Sequence, residues 1–181
     1  VQGACDSPLT ELGQNQARQA GAYLKERGIR FGQLYSSTQE RASDTLELVS
    51  GRTDYTRLKG IKEWNFGLFE AQPERLQPKF RPGATSFEDL FVPYGGEGVD
   101  QVGERMLVTL TEVMEQAGSD PVLAVSHGGA MWAFYLKIAA QALDPKVRFG
   151  NCAICHYYYE QGHFKLAEVI DPLTGSVYEC E

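Results

Sequence analysis

The sequence predicts an α/β fold with a largely parallel central sheet, on three observations. Apolar runs of strand length alternate along the chain with segments of helical periodicity. Two of those runs, at 33–36 and 121–125, lead directly into helical patterns, as parallel strands joined by crossover helices do. The second run, Pro121-Val122-Leu123-Ala124-Val125, is continuously apolar and predicts a strand buried on both faces. Such sheets bind ligands beyond the carboxyl ends of their strands, so function is sought at the junctions 36–41 and 126–129.

The elements follow in order. From 10 to about 28 the pattern is helical: Thr10 can act as N-cap, Leu12, Ala17, Ala20 and Leu24 fall toward one side, and Gly28 can end it. The strand Gln33-Leu34-Tyr35-Ser36 comes next. A second helix has Ala42, Leu46 and Val49 on one face and stops at Gly51. Residues 57–70 read as turns holding Glu63, Trp64, Phe66 and Phe69. Residues 71–96, with their prolines and scattered aromatics (Phe80, Phe87, Phe91, Tyr94), read as an irregular cap or lid. Helical spacing returns from 97 to about 117 through Val99, Val102, Met106, Leu110 and Val113. After Ser126-His127-Gly128-Gly129 a helix with Met131, Tyr135, Ile138 and Ala142 on one side is expected, and then strands near 152–159 and 164–170.

Length predicts one domain over 1–181, with 71–96 as an insertion. With 17 Lys and Arg against 24 Asp and Glu the formal charge is −7, which argues against binding nucleic acid or an anionic membrane surface. A small anion held by a few local cations remains compatible with it. No run approaches the roughly 20 apolar residues of a membrane span. The four cysteines (Cys5, Cys152, Cys155, Cys180) are too sparse for a disulfide scaffold and read as thiols of a reducing, cytoplasmic environment. Cys152-Ala153-Ile154-Cys155-His156 matches the haem-attachment pattern C-x-x-C-H. On a strand, however, the two thiols would point to opposite faces and serve neither one haem nor one zinc.

Three residues invite a chemical reading. His127 sits between a strand and a helix, beside glycines that admit close approach, where free N–H groups and the helix dipole suit phosphate; a turn residue that merely caps is the alternative. Ser37-Thr38-Gln39-Glu40 fits a capping box, which puts Arg41 near the start of a helix. A cation there is disfavoured by about 0.3–1 kcal/mol unless an anion lies in front of the helix. An exposed Arg41 paired with Glu40 or Asp44 fits the local sequence equally. Glu63, among aromatic neighbours, is a candidate proton donor, although a surface acid neutralised by Lys62 is the plainer local reading.

Five segments in order match one pattern. They are Gln2-Gly3-Ala4-Cys5-Asp6-Ser7-Pro8-Leu9-Thr10 with Gly13 and Gln16-Ala17; Ser36-Ser37 through Arg41-Ala42 and Thr45; Glu63 to Gly67 with Phe69-Glu70; Gly96-Glu97 with Arg105; and Val125-Ser126-His127-Gly128-Gly129. Together they resemble the histidine phosphatase superfamily, the phosphoglycerate mutase-like family. Two departures are Ile61 for the usual Leu and Gly98 for the usual hydroxyl residue.

The resemblance implies a three-layer α/β/α fold and a phosphatase acting on a small phosphorylated metabolite, with no metal or organic cofactor. Arg41 would be the second arginine of the phosphate pocket, His127 its second histidine, and Glu63 the acid that protonates the leaving group. Gln2, Gly3 and Gly128 would also touch phosphate. The family's nucleophilic histidine lies in an R-H-G motif on the strand and turn before the Gln2-Gly3 element. The resemblance therefore implies a preceding segment of roughly twenty residues that carries the sheet's first strand and that motif, the motif about ten residues before Gln2, and implies that the chain from Val1 alone does not turn over. A phosphohistidine intermediate follows from such a nucleophile. The competing readings are an isomerase, a cofactor-dependent mutase, which Gly67-Leu68-Phe69-Glu70-Ala71 and the short cap resemble less, and a non-catalytic phosphate-binding module. Oligomeric state is open, with a homodimer among the options.

Overall fold

Parallel pairing organises the chain outward from one central strand. In the computed structural model, which describes residues 1–139, 144 and 147–180, β1 (Gln33–Ser37) lies between β2 (Thr56–Leu58) and β3 (Val122–Val125), parallel to both. Among the described residues four α-helices complete the layers: α1 (Glu11–Glu26), α2 (Glu40–Ser50), α3 (Val99–Ala117) and α4 (Gly128–Ile138). The α1–α2 pair packs on the sheet through α2, and α3 pairs with α4. Thr10 does cap α1, its hydroxyl accepting from the Gly13 N–H at 3.1 Å. Gly51 ends α2 in the left-handed conformation. The α3–α4 contact depends on Gly103, where a Cβ would stand 2.8 Å from the Ala133 carbonyl oxygen.

The main core joins Ile61, Trp64, Phe66, Phe91, Val102, Met106 and Phe134, all buried. Trp64 is 1% exposed, and its indole N–H is satisfied by the Glu97 carbonyl at 2.6 Å. This core lies under the 61–70 stretch, so the segment that carries Glu63 is anchored by its own aromatic neighbours.

Several elements differ from expectation. Residues 57 and 58 belong to β2 rather than to a turn. β3 is half-buried rather than enclosed, because among the described residues no strand pairs with its outer edge. The C-terminal strands are antiparallel and form a second sheet of three, β4 (Ile154–Glu160), β5 (His163–Asp171) and β6 (Ser176–Glu179). Cys152 lies in the turn before β4 with φ 58°, not on the strand, so the opposite-faces argument loses its premise. Burial pushes the Cys155 thiol up to about 12. Ala142 lies outside the described residues.

Residues 71–96 are irregular apart from short 3-10 turns at Glu74–Leu76 and Val92–Tyr94. Their rings interlock with those of the 61–70 stretch: Phe66–Phe91 centroids are 4.7 Å apart and Phe69–Tyr94 4.9 Å. The Trp132 indole N–H donates to the Thr85 carbonyl at 2.8 Å, tying this segment to α4. Among the described residues no helix is long and apolar enough to cross a membrane.

Candidate active site

Strand register brings the first two groups together. Ser36 of β1 stands opposite Val125 of β3, so Ser37 and the Ser126-His127 pair leave the sheet side by side. His127 is 8% exposed, and its Nε2 lies 2.8 Å from the Ser37 hydroxyl. Burial, and after it the Arg41 guanidinium, hold this imidazole down to about 3, so it is neutral at physiological pH. Ser126 turns the other way and donates to the Ile61 carbonyl at 2.8 Å.

Arg41 enters from the first turn of α2, and a turn at residues 2–6 receives it. Its Nη1 donates to the Cys5 carbonyl at 2.8 Å and to Asp6 Oδ1 at 2.9 Å; its Nη2 donates to the Gly3 carbonyl at 3.0 Å and the Gln2 carbonyl at 3.5 Å. Asp6 also accepts the Glu40 N–H. The anion in front of the helix is thus Asp6, which removes the dipole penalty expected for Arg41. Burial disfavours its ionised form, but Arg41 and the Glu40 N–H outweigh burial and hold Asp6 below the usual carboxylate range. The capping box does not form. Ser37 bonds His127 and the Gln39 N–H, while Glu40 pairs with Arg57 at 2.7 Å.

Glu63 reaches the site from the opposite side, and its partners are unexpected. The carboxylate accepts the N–H groups of Gly129 at 3.1 Å and Ala130 at 2.8 Å, and that of Trp64 at 2.8 Å. The helix start that the sequence suggested for phosphate therefore holds the chain's own acid. Burial pushes Glu63 above the usual carboxylate range, against the pull of these N–H donors and Arg41. Its main chain is pinned by Arg105, which donates to the carbonyls of Gly60 (2.8 Å), Lys62 (2.7 Å) and Glu63 (3.0 Å) while bridging Glu97 at 2.8 Å. The missing hydroxyl at Gly98 leaves half a cap: Gln101 accepts the Gly98 N–H at 2.8 Å.

Gln39 links the parts. It is 3% exposed; its Nε2 donates to the Gly3 carbonyl at 2.7 Å and its Oε1 accepts the Glu63 N–H at 2.8 Å. Arg41, His127 and Glu63 thereby share one network at the carboxyl ends of β1 and β3. The other expected residues are placed differently. The Gln2 side chain donates to the Ser7 hydroxyl. Gly3 has its N–H on Glu70 at 3.2 Å and its carbonyl on Gln39 and Arg41, so its main chain is engaged within the protein. No side chain fits at Gly3, since a Cβ would lie 2.2 Å from the Trp64 carbonyl. Gly128 begins α4, and its own position is unobstructed. Gln39 escaped the sequence reading, because a polar residue between Thr38 and Glu40 carries no mark of burial. Among the described residues no group of three or more His, Cys, Asp and Glu side chains is placed to hold a metal ion.

The histidine phosphatase superfamily (branch 1) profile matches residues 1–172. The chain is 30% identical over 172 residues to the Yersinia pestis protein named "Probable phosphoglycerate mutase GpmB", covering 89% of this chain and 78% of that one. It is 28% identical over 170 residues to "Metal-independent phosphoserine phosphatase" of Arabidopsis thaliana, covering 86% of this chain and 68% of that one. Among solved structures, Bacillus stearothermophilus YhfR superposes with a TM-score of 0.78 at 24% identity, covering 92% of this chain and 86% of that one. A phosphoserine phosphatase variant from Entamoeba histolytica, solved with phosphoserine, gives 0.74 at 24% identity, covering 93% and 87%.

Proposed function

Because the chain belongs to the histidine phosphatase superfamily, we propose that it hydrolyses small phosphomonoesters through a phosphohistidine intermediate whose nucleophile is a histidine upstream of Val1. One observation carries the reading. A neutral buried imidazole (His127), a guanidinium (Arg41) and a carboxyl that burial pushes above the usual carboxylate range (Glu63) share one network where parallel strands end. Phosphoryl transfer asks for such a set: donors and a cation around the equatorial oxygens, and an acid for the leaving group.

The roles follow from the chemistry. The nucleophilic nitrogen bonds to phosphorus as the ester P–O bond breaks, and Glu63 gives its proton to the departing alkoxide. Water then attacks the phosphohistidine, its proton passes to the Glu63 carboxylate, the P–N bond breaks and inorganic phosphate leaves. Arg41 and His127 bind the phosphoryl oxygens throughout. The upstream nucleophile is supported by β3: a further parallel strand along the edge that no strand among the described residues covers would end beside His127. Residues 71–96 are suited to cover the substrate, since their rings pack beside the Glu63 segment.

The test is phosphate release by the full chain, including sequence upstream of Val1, from an alkyl phosphate and from 4-nitrophenyl phosphate. Glu63→Gln is expected to slow the alkyl ester far more, because nitrophenolate leaves without a proton. Equal losses on both would remove Glu63 as the acid. The 30% identity to a protein named as a mutase favours a second reading, cofactor-dependent phosphotransfer. Isomerisation of 3-phosphoglycerate with bisphosphoglycerate outpacing phosphate release would establish it instead.

A further inference from the structure

Arg41 is oriented by the turn at residues 2–6: among the described residues each hydrogen bond of its guanidinium ends on the Gln2, Gly3 or Cys5 carbonyl or on the Asp6 carboxylate. What fixes that turn is therefore what fixes Arg41. Its carbonyls face Arg41 and Gln39, and its N–H groups face the other way, onto one carboxylate. Glu70 accepts three consecutive N–H groups, Gly3 at 3.2 Å, Ala4 at 2.8 Å and Cys5 at 2.9 Å. Consecutive N–H groups converging on an anion form a concave nest, a geometry usually offered to a ligand; here the anion is internal. Glu70 also accepts the Phe66 N–H at 2.7 Å, so the same carboxylate joins the turn to the segment that carries Glu63.

We propose that Glu70 is a positioning residue for the phosphate site, setting the Arg41 guanidinium through the Gly3–Cys5 turn that lies between them. The inference rests on the reading of Arg41 as a phosphate ligand. Peptide dipoles of the turn point their N–H ends at an anion and their carbonyl ends at a cation, so the two charges reinforce one alignment. Glu70 itself moves no proton. Burial disfavours its charged form, yet the donated N–H groups outweigh burial and keep it below the usual carboxylate range. Gly3 is the tight point: a Cβ there would meet Glu70 Oε1 at 2.4 Å as well as the Trp64 carbonyl. The arrangement admits no slack between Glu70 and the turn.

A double-mutant cycle on the full chain tests this, with inorganic phosphate as the probe and calorimetric affinity as the readout. Arg41→Ala alone must weaken phosphate binding; if it does not, the phosphate-site reading falls and the inference with it. Given that loss, Glu70→Gln is expected to weaken phosphate about tenfold when Arg41 is present and less than twofold in the Arg41→Ala background. Equal losses in both backgrounds would make Glu70 a general structural support, and no loss in either would remove it from the site; both outcomes overturn the proposal while leaving Arg41 as a ligand. Should Glu70→Gln fail to fold, Glu70→Asp keeps the charge but is too short to reach all four N–H groups, and the same background dependence decides.

Discussion

His127 makes a quantitative claim about acid stability. Its folded value near 3 lies below the ordinary value of about 6.5, so the native state resists protonation while the unfolded chain does not. The sign follows: above pH 6.5 both states are neutral and nothing is lost, whereas between pH 6.5 and 3 the unfolded chain takes up a proton that the folded chain refuses. Stability falls through that window and the loss is complete below it. At pH 5 the unfolded state gains a factor of about 32 and the folded state almost none, a loss of about 2 kcal/mol. The full span of about 3.5 units corresponds to about 5 kcal/mol. Urea unfolding of the wild type and His127→Gln, each at pH 7.5 and pH 5, isolates the effect, since glutamine can keep a bond to Ser37 but cannot titrate. The wild type is expected to lose about 2 kcal/mol more than the variant on acidification. Carboxylates such as Asp6 and Glu70 lose stability in both proteins and cancel to first order. Identical losses, within about 0.5 kcal/mol, would refute a buried neutral imidazole.

Three further outcomes are expected. Arg41→Ala should lower kcat of the full chain by about 10²–10³-fold, or about 2.7–4 kcal/mol, in steady-state phosphate release. Arg105→Met leaves three carbonyls without their Arg105 donor and the Glu97 carboxylate with the Asn65 N–H but no cation, and urea unfolding should record a loss of about 2–3 kcal/mol, between that of a surface pair and a buried one; adding Glu97→Gln should recover part of it. Trp64→Ala empties the centre of the main core and should cost about 3–5 kcal/mol in the same measurement.

Helices were the most legible part of the chain. Ala17, Ala20 and Leu24 are buried on α1, Thr10 caps it and Gly51 ends α2, because these signals are local and the packing agrees with them; Leu12, expected on the same side of α1, is exposed instead. The Ser37–Glu40 box was equally regular as a pattern, but tertiary partners won: His127 takes the Ser37 hydroxyl, Arg57 takes Glu40, and Asp6, thirty-four positions away, supplies the cap. β6 was illegible, since Ser176–Glu179 is exposed throughout and shows no alternation to read. In the site, local residue patterns favoured His127, and the family resemblance added Arg41 and Glu63. Nothing local indicated that Glu63 would sit on α4, or that Gln39 and Glu70 would hold the turn. Those placements depend on main-chain groups brought together from distant segments, and side-chain identity does not record them.

The bond from Trp132 to Thr85 gives the protein an internal optical reporter. The sequence has two tryptophans; Trp64 is sealed in the core but meets Phe87 of the 71–96 segment edge-on at 5.8 Å, so the two signals have to be separated by substitution. Trp132 has its indole N–H on the main chain of the 71–96 segment. Any displacement of that segment from α4 must break this bond and hydrate the ring. Stopped-flow fluorescence on addition of a phosphorylated ligand could then follow the segment in real time without an introduced dye, and Trp132→Phe would identify the signal's origin.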